Sequence, residues 1–249
     1  MSKTTLNVYK IGGKSIDDPA ALRAFLDVFV ADPNAKILVH GGGVLAAQLA
    51  QSLHIPVVMH EGRRITDADT LRIVTMVYAG WINKTLVAQL EARGCRAVGI
   101  SGADAGCMRS VRRAPEPLDY GFVGDITPQG INTHFLASLL RAHTTPVCCS
   151  ITCTAEGQLL NTNADTIASN MAISMCDYFT TRLIFAFDKD GVLYPKATAP
   201  IPLLSYKQYQ AMKADGAITD GMIPKLDNAF SALEQGVATV CIGKTQLQL

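Results

Sequence analysis

Residues 8–18 read VYKIGGKSIDD. Parsed one way, this stretch is the end of a P-loop. Parsed the other way, it is a strand that runs into a glycine turn. A P-loop requires G-x-x-x-x-G-K-[ST]. Counting back from Gly13, Lys14 and Ser15 puts its first glycine at position 8, which is Val8. The pattern fails, and the apolar strand candidate over 6–11 runs straight into Gly12. What remains is a lysine at a strand end, Lys10, followed by Gly12 and Gly13. Backbone N–H groups of such glycines can approach an anion closely. Lys14 then falls on the surface.

Outward from this stretch, apolar β-branched runs alternate with helical patterns. The strand candidates are LNVYKI (6–11), KILVH (36–40), RAVGIS (96–101), TPVCCSIT (145–152), RLIFAF (182–187) and TVCIG (239–243). Helices are expected near 19–30, 44–53, 67–93, 131–142, 164–176, 205–214 and 222–235, with caps at Ser15 or Asp18 for the first and at Thr66 for the long one. Strands this apolar are covered on both faces. Joined by helices, they predict an α/β fold: a three-layer αβα sandwich with a mainly parallel central sheet. Residues 55–66 and 108–127 read as β-hairpins on the edge of that sheet. Ligands of open α/β sheets sit at the carboxyl ends of the strands, so the loops there carry the functional argument.

The bulk properties exclude several classes. The 249 residues are 49% hydrophobic with net charge +1, and the mean hydropathy is +0.21. These values describe a well-packed globular chain with no basic footprint for nucleic acid or a membrane surface. No apolar run approaches the roughly 18 residues of a membrane span, and MSKTTLNVYK lacks the core of a signal peptide. Seven cysteines without a CxxC pair read as reduced core thiols in a cytoplasmic protein.

The loop after the second strand is HGGG (40–43), and a glycine run at a helix start is an anion site. The same letters occur in the oxyanion hole of α/β-hydrolases, but that fold needs G-x-S-x-G. The best candidate, GISGA (99–103), ends in Ala103. No G-x-G-x-x-G follows the first strand either, which removes a dinucleotide fold. GRRIT (62–66) sets Arg63 and Arg64 on a hairpin, and a planar guanidinium grips a carboxylate bidentately. NTNAD (161–165) places Asn161, Asn163 and Asp165 just ahead of a helix. GMIPK (221–225) puts Lys225 in a first helical turn, where the dipole disfavours a cation unless an anion faces it.

Together KIGG, HGGG, GRRIT, AGWINKTL (79–86), GISGAD, GFVGD, GQLLNTNAD, FDKDGVL and TDGMIPKL resemble the amino acid kinase family, most closely its acetylglutamate kinase branch. They span nearly the whole chain in the family's order. The resemblance implies transfer of the ATP γ-phosphoryl group, with Mg²⁺ carried by ATP and no protein metal site, to the γ-carboxylate of N-acetyl-L-glutamate in arginine biosynthesis. It matches Lys10 and Lys225 to catalytic lysines and Asp165 to the aspartate that organises them. It matches Gly12, Gly13, Gly42 and Gly43 to phosphate loops, Arg64 to an α-carboxylate clamp, and Asn161 and Asn163 to substrate contacts. Asp188 and Gly191 fall on the nucleotide side.

On the same resemblance, residues 1–177 form an amino-acid-substrate lobe and 178–249 a nucleotide lobe on one continuous sheet. The ending KTQLQL departs from the family's G-T-[KR]-I pattern, which leaves the nucleotide-side edge strand missing or replaced. About five residues precede the first strand, where arginine-inhibited members carry a helical extension, so a homodimer insensitive to arginine is expected, with the 67–93 helix at its interface. Two alternatives stay open. One is the same reaction on N-succinyl-L-glutamate, with Arg63, Arg109 or Arg112 meeting the extra carboxylate. The other is a non-catalytic nucleotide- or amino-acid-sensing relative.

Overall fold

The computed structural model describes residues 3–60, 62–186, 191–194, 197, 199–218 and 222–249. Along the chain run β1 (Thr5–Ile11), α1 (Gly13–Asp17), α2 (Pro19–Ala31), β2 (Ala35–His40), α3 (Gly43–Ser52), β3 (Met59–His60), β4 (Arg63–Arg64) and α4 (Ala68–Thr75). A π-helical segment, Met76–Ile82, leads into α5 (Asn83–Glu91). Then come β5 (Ala97–Ile100), β6 (Val111–Arg112), β7 (Val123–Asp125), α6 (Thr133–Arg141), β8 (Thr145–Cys149), β9 (Ile151–Cys153), β10 (Leu159–Thr162) and α7 (Ala164–Ser174). The last part holds β11 (Thr180–Ala186), β12 (Leu203–Ser205), α8 (Tyr206–Ala214), α9 (Ile223–Glu234), β13 (Thr239–Ile242) and β14 (Thr245–Gln248).

The central sheet has eight strands in the order β12-β14-β13-β11-β1-β2-β8-β5. Neighbours from β13 through β5 pair in parallel. β14 runs antiparallel to β13 and parallel to β12. The KTQLQL ending therefore supplies a strand of its own, β14, which sits between β13 and the edge strand β12. Two apolar clusters cover the two faces. Leu6, Val8, Ile37 and Val39 pack with Leu136, Met171 and Phe230 of α6, α7 and α9. Tyr9, Ile11 and Leu38 pack with Leu26, Phe29, Ala46 and Leu86 of α2, α3 and α5. The result is the expected α/β three-layer sandwich.

The hairpins differ from expectation. β3 and β4 form a separate two-stranded sheet, and β6-β7-β10-β9 a separate four-stranded one, so neither continues the central edge. The predicted strand 145–152 splits at Ser150: β8 pairs with β2, while β9 pairs with β10. Asp18 caps α2 by accepting from the N–H groups of Ala20 and Ala21. The cap of α4 is Asp67, not Thr66. Thr66 is fully buried and its hydroxyl is committed elsewhere. All seven cysteines are free thiols. Among the described residues, no helix is long and apolar enough to cross a membrane.

Candidate active site

Side chains alternate across a strand, so Lys10 leaves β1 on the face of Leu6 and Val8, toward α7 and α9. Asp165 stands in the first turn of α7 and Lys225 in the first turn of α9. Lys10 Nζ lies 2.7 Å from Asp165 Oδ1, and Lys225 Nζ 2.7 Å from Oδ2. Lys225 also sits 4.8 Å from the Phe185 ring centroid. Burial alone would push the Asp165 carboxyl up. Attraction to Lys10 and then Lys225, with their hydrogen bonds, outweighs burial and holds it below the usual carboxylate range. The carboxylate also offsets the unfavourable dipole at Lys225. Asn163 caps α7, its Oδ1 accepting from the N–H groups of Asp165 and Thr166. The cap starts the helix one residue before the aspartate and so aims it.

The two glycine loops meet beside this triad. Gly12 precedes α1, and Gly42 precedes α3. A Cβ on Gly13 would lie 3.6 Å from Gly43 N, an ordinary contact that measures how near the loops come. A Cβ on Gly42 would collide with Ile82 and Tyr78, so only glycine fits there.

Next to the loops a cavity of about 210 Å³ is lined by Gly42, Gly43, Arg63, Arg64, Tyr78 and Asn161, among others. Arg64 Nη2 donates to Gly43 O at 2.9 Å. The Tyr78 phenol lies beside the guanidinium; burial raises its pKa, partly countered by Arg64. Asn161 Nδ2 donates to Thr66 Oγ1 at 3.0 Å, and that hydroxyl donates to Arg64 O at 3.0 Å. Arginine hairpin and asparagine strand are thus tied together. The cavity can take a small carboxylate with Arg64 on one side and backbone N–H groups on another.

Other sequence candidates fall elsewhere. Lys14 is exposed on α1. Gly191 is buried where a Cβ would collide with Thr245 and Pro200, so its missing side chain lets the loop pack on β14. Asp188 lies outside the described residues. Arg112 donates through Nε to Gly121 O at 2.8 Å, and neither it nor Arg109 lines the cavity. The sequence reading assigns no site role to Tyr78, His40 or Asn83, and takes Thr66 for a helix cap. Asn83 and Lys84 could have been noticed as an adjacent polar pair inside an apolar helical pattern. Among the described residues no three His, Cys, Asp or Glu side chains gather as a metal group.

The description "Amino acid kinase family" belongs to a family model that matches residues 5–244. The chain belongs to the amino acid kinase family. Within this family it is 44% identical over 242 residues to the acetylglutamate kinase of Phocaeicola vulgatus, covering 96% of this chain and 93% of that one. It is 45% identical over 240 residues to the acetylglutamate kinase of Cytophaga hutchinsonii, covering 95% and 90%. Among solved structures, smu.665 from Streptococcus mutans superposes with TM-score 0.81 at 26% identity over 98% of both chains. An N-acetylglutamate synthase from Neisseria gonorrhoeae superposes with TM-score 0.83 at 20% identity, over all of this chain and 60% of that one, which speaks for the fold alone. As a kinase of this family, the chain uses ATP as phosphoryl donor.

Proposed function

We propose that this chain is an acylglutamate kinase that transfers the ATP γ-phosphoryl group to the γ-carboxylate of N-acetyl-L-glutamate, a step of arginine biosynthesis. The observation that carries the reading is Asp165 held between Lys10 and Lys225, next to a cavity that Arg64 and the glycine loops line. A γ-carboxylate with a reference pKa of about 4.3 is already ionised at neutral pH, so no general base is needed. A carboxylate oxygen attacks the γ-phosphorus, a new O–P bond forms, the bond to the β-phosphate oxygen breaks, and ADP leaves with that electron pair. The difficulty is bringing anions together and stabilising charge on the group in flight. Lys10, Lys225 and the N–H groups near Gly12, Gly13, Gly42 and Gly43 supply that stabilisation without reorganisation. Arg64 clamps the α-carboxylate, and Asn161 and Asn163 border the same substrate. Mg²⁺ enters as MgATP. In this reading residues 1–177 hold the amino acid and 178–249 the nucleotide. ADP release in the presence of ATP, Mg²⁺ and N-acetyl-L-glutamate tests it; no release from folded protein ends it and favours the sensing relative.

One observation supports a second substrate. Arg63 lines the same cavity as Arg64, so an acyl group ending in a carboxylate would meet a cation, and this role passes from Arg109 and Arg112 to Arg63. Comparing kcat/KM for N-acetyl- and N-succinyl-L-glutamate, with and without Arg63→Ala, decides it. A tenfold preference for the acetyl substrate, about 1.4 kcal/mol, ends the succinyl reading. A homodimer is part of the proposal. Trp81 is 69% and Met76 55% exposed, and with the groove along Gly80, Ala88 and Ala92 they make an apolar face suited to a second copy. Light scattering should show a dimer, and Trp81→Glu should weaken it.

A further inference from the structure

His40 ends β2 immediately before the glycines, yet the phosphoryl chemistry above gives it no task. Pleat parity turns it away from Lys10, onto the face shared with Leu38 and covered by α5. It is completely buried. Its Nδ1 lies 2.9 Å from the Gly41 carbonyl oxygen. A carbonyl only accepts, so Nδ1 carries the proton and Nε2 bears a lone pair. Asn83 Nδ2 donates to that lone pair at 3.0 Å.

The Asn83 amide is oriented by two further neighbours. Its Nδ2 also donates to Val147 O at 2.9 Å. Its Oδ1 accepts from Lys84 Nζ at 3.2 Å, and that ammonium donates to Gly99 O at 2.8 Å. Every hydrogen-bonding atom of the amide is therefore committed, and the bonds run in one direction: from Lys84 to Asn83, to His40, to the Gly41 carbonyl. The close approach depends on Gly99, because a Cβ there would collide with Asn83 Oδ1. The π-helical turn just before Asn83 also lays Tyr78 and Ile82 on Gly42. One helix thus grips the loop at His40 and at Gly42, on either side of Gly41.

We infer that His40, Asn83 and Lys84 are positioning residues that set the phosphate-binding loop, by holding the Gly41 carbonyl on the buried imidazole and away from incoming phosphoryl oxygens. The inference rests on the kinase reading of the site. A carbonyl oxygen facing a phosphate would repel it. In a planar trans peptide the C=O and the following N–H point in opposite directions. Drawing the Gly41 carbonyl toward His40 therefore turns the Gly42 N–H the other way, as a donor for anionic oxygens. Burial keeps the imidazole neutral by pushing its pKa down to about 4, so the donor–acceptor direction persists at working pH.

Two isosteric variants test this. His40→Asn places an amide nitrogen near the Nδ1 position and keeps the donor to Gly41. His40→Gln places it near Nε2 and loses that donor. The expected result is a kcat at least about tenfold lower for His40→Gln, equal to about 1.4 kcal/mol, with KM for N-acetyl-L-glutamate little changed. His40→Asn should recover most of the loss although its melting temperature falls by a similar amount. Equal kcat for the two variants, or losses that track melting temperature, would overturn the inference. Lys84→Met, at an exposed helix position, covers the case where neither His40 variant folds: it should lower kcat with KM unchanged, and full activity counts against the relay. If the wild-type protein releases no ADP, the kinase reading has failed on its own. The relay is then judged by ¹⁵N NMR of the wild-type imidazole, where a proton on Nδ1 supports it and a proton on Nε2 ends it.

Discussion

Strand β1 carries an aspartate cluster on each face, and the two are built in opposite ways. On the α2 side, Asp32 accepts from Asn7 Nδ2 at 2.6 Å and Tyr9 Oη at 2.9 Å, and from the Asn34 N–H and side chain at 3.0 and 2.8 Å. On the α7 side, Asp165 is held by two ammonium groups. In both, burial pushes the carboxyl pKa up and is overcome. Neutral hydrogen bonds, led by Asn7, do so at Asp32, and the charges of Lys10 and Lys225 at Asp165. Four neutral donors close a cluster. Two cations, each with several N–H groups, keep a positive field that an arriving phosphate can share. The first cluster staples β1 to the segment after α2, and the second is equipped for anions.

The largest expected effect breaks this contrast if it is wrong. Lys10→Ala or Lys225→Ala should lower kcat by at least ~10²–10³, the usual loss of one preorganised donor, with the fold retained. Near-normal turnover in Lys10→Ala together with loss in Lys14→Ala would reverse the assignment. The second effect concerns acid. Both aspartates have depressed pKa values, so their contribution to stability is complete above the ordinary value of 3.8 and is lost only as pH falls below it. His40 behaves otherwise. The unfolded chain takes up its proton near 6.5, while the folded one waits until about 4, because burial outweighs the opposing hydrogen bond to the Gly41 carbonyl and the Lys84 charge adds to the lowering. Stability should therefore drop by about 3 kcal/mol between those pH values, and His40→Asn should remove that slope in denaturant titrations. An unchanged slope would assign the loss to other groups.

A smaller effect separates the faces directly. Asp32→Ala should cost about 2–3 kcal/mol in unfolding free energy, because Asn7 and Tyr9 are left buried without an acceptor. Its kcat per folded molecule should stay at the wild-type value. A kcat loss beyond about threefold would mean that the staple also serves the site. Smallest is Arg64→Lys, which keeps charge but loses the fork. KM for the amino-acid substrate should rise about tenfold, near 1.4 kcal/mol, with KM for ATP little changed. No change removes Arg64 from the substrate.

Strands β1, β2, β5, β8, β11 and β13 were legible as apolar runs, and the period-2 rule then sends Lys10 toward α7, whereas the short strands β12 and β14 carried too little apolar sequence to be expected. The triad was not legible from spacing alone. Asp165 and Lys225 are 60 positions apart, and only the packing of α7 beside α9 joins them. The π-helical turn was hidden for another reason. The apolar pattern over 67–93 suits one continuous helix, and nothing in hydrophobicity marks where five-residue hydrogen bonds replace four-residue ones. Thr66 looked like a cap because threonine before a helix usually is one, but Asp67 took that place and freed Thr66 to join Arg64 with Asn161. The hairpins misled because pairing partners, unlike strand propensity, are set by long-range register.

The buried thiols have a use that has nothing to do with catalysis. Cys107, Cys148 and Cys149 are fully buried, and burial raises the thiol pKa of each, to about 12 for Cys107 and Cys149. Alkylating reagents attack the thiolate, so in the closed protein these sulfurs are both shielded and protonated. Cys148 and Cys149 become reactive only when β8 opens, and Cys107 when the turn after β5 lifts off the core. A timed pulse of iodoacetamide, read by mass spectrometry, would therefore work as a built-in clock for the opening of β8, with no engineered label.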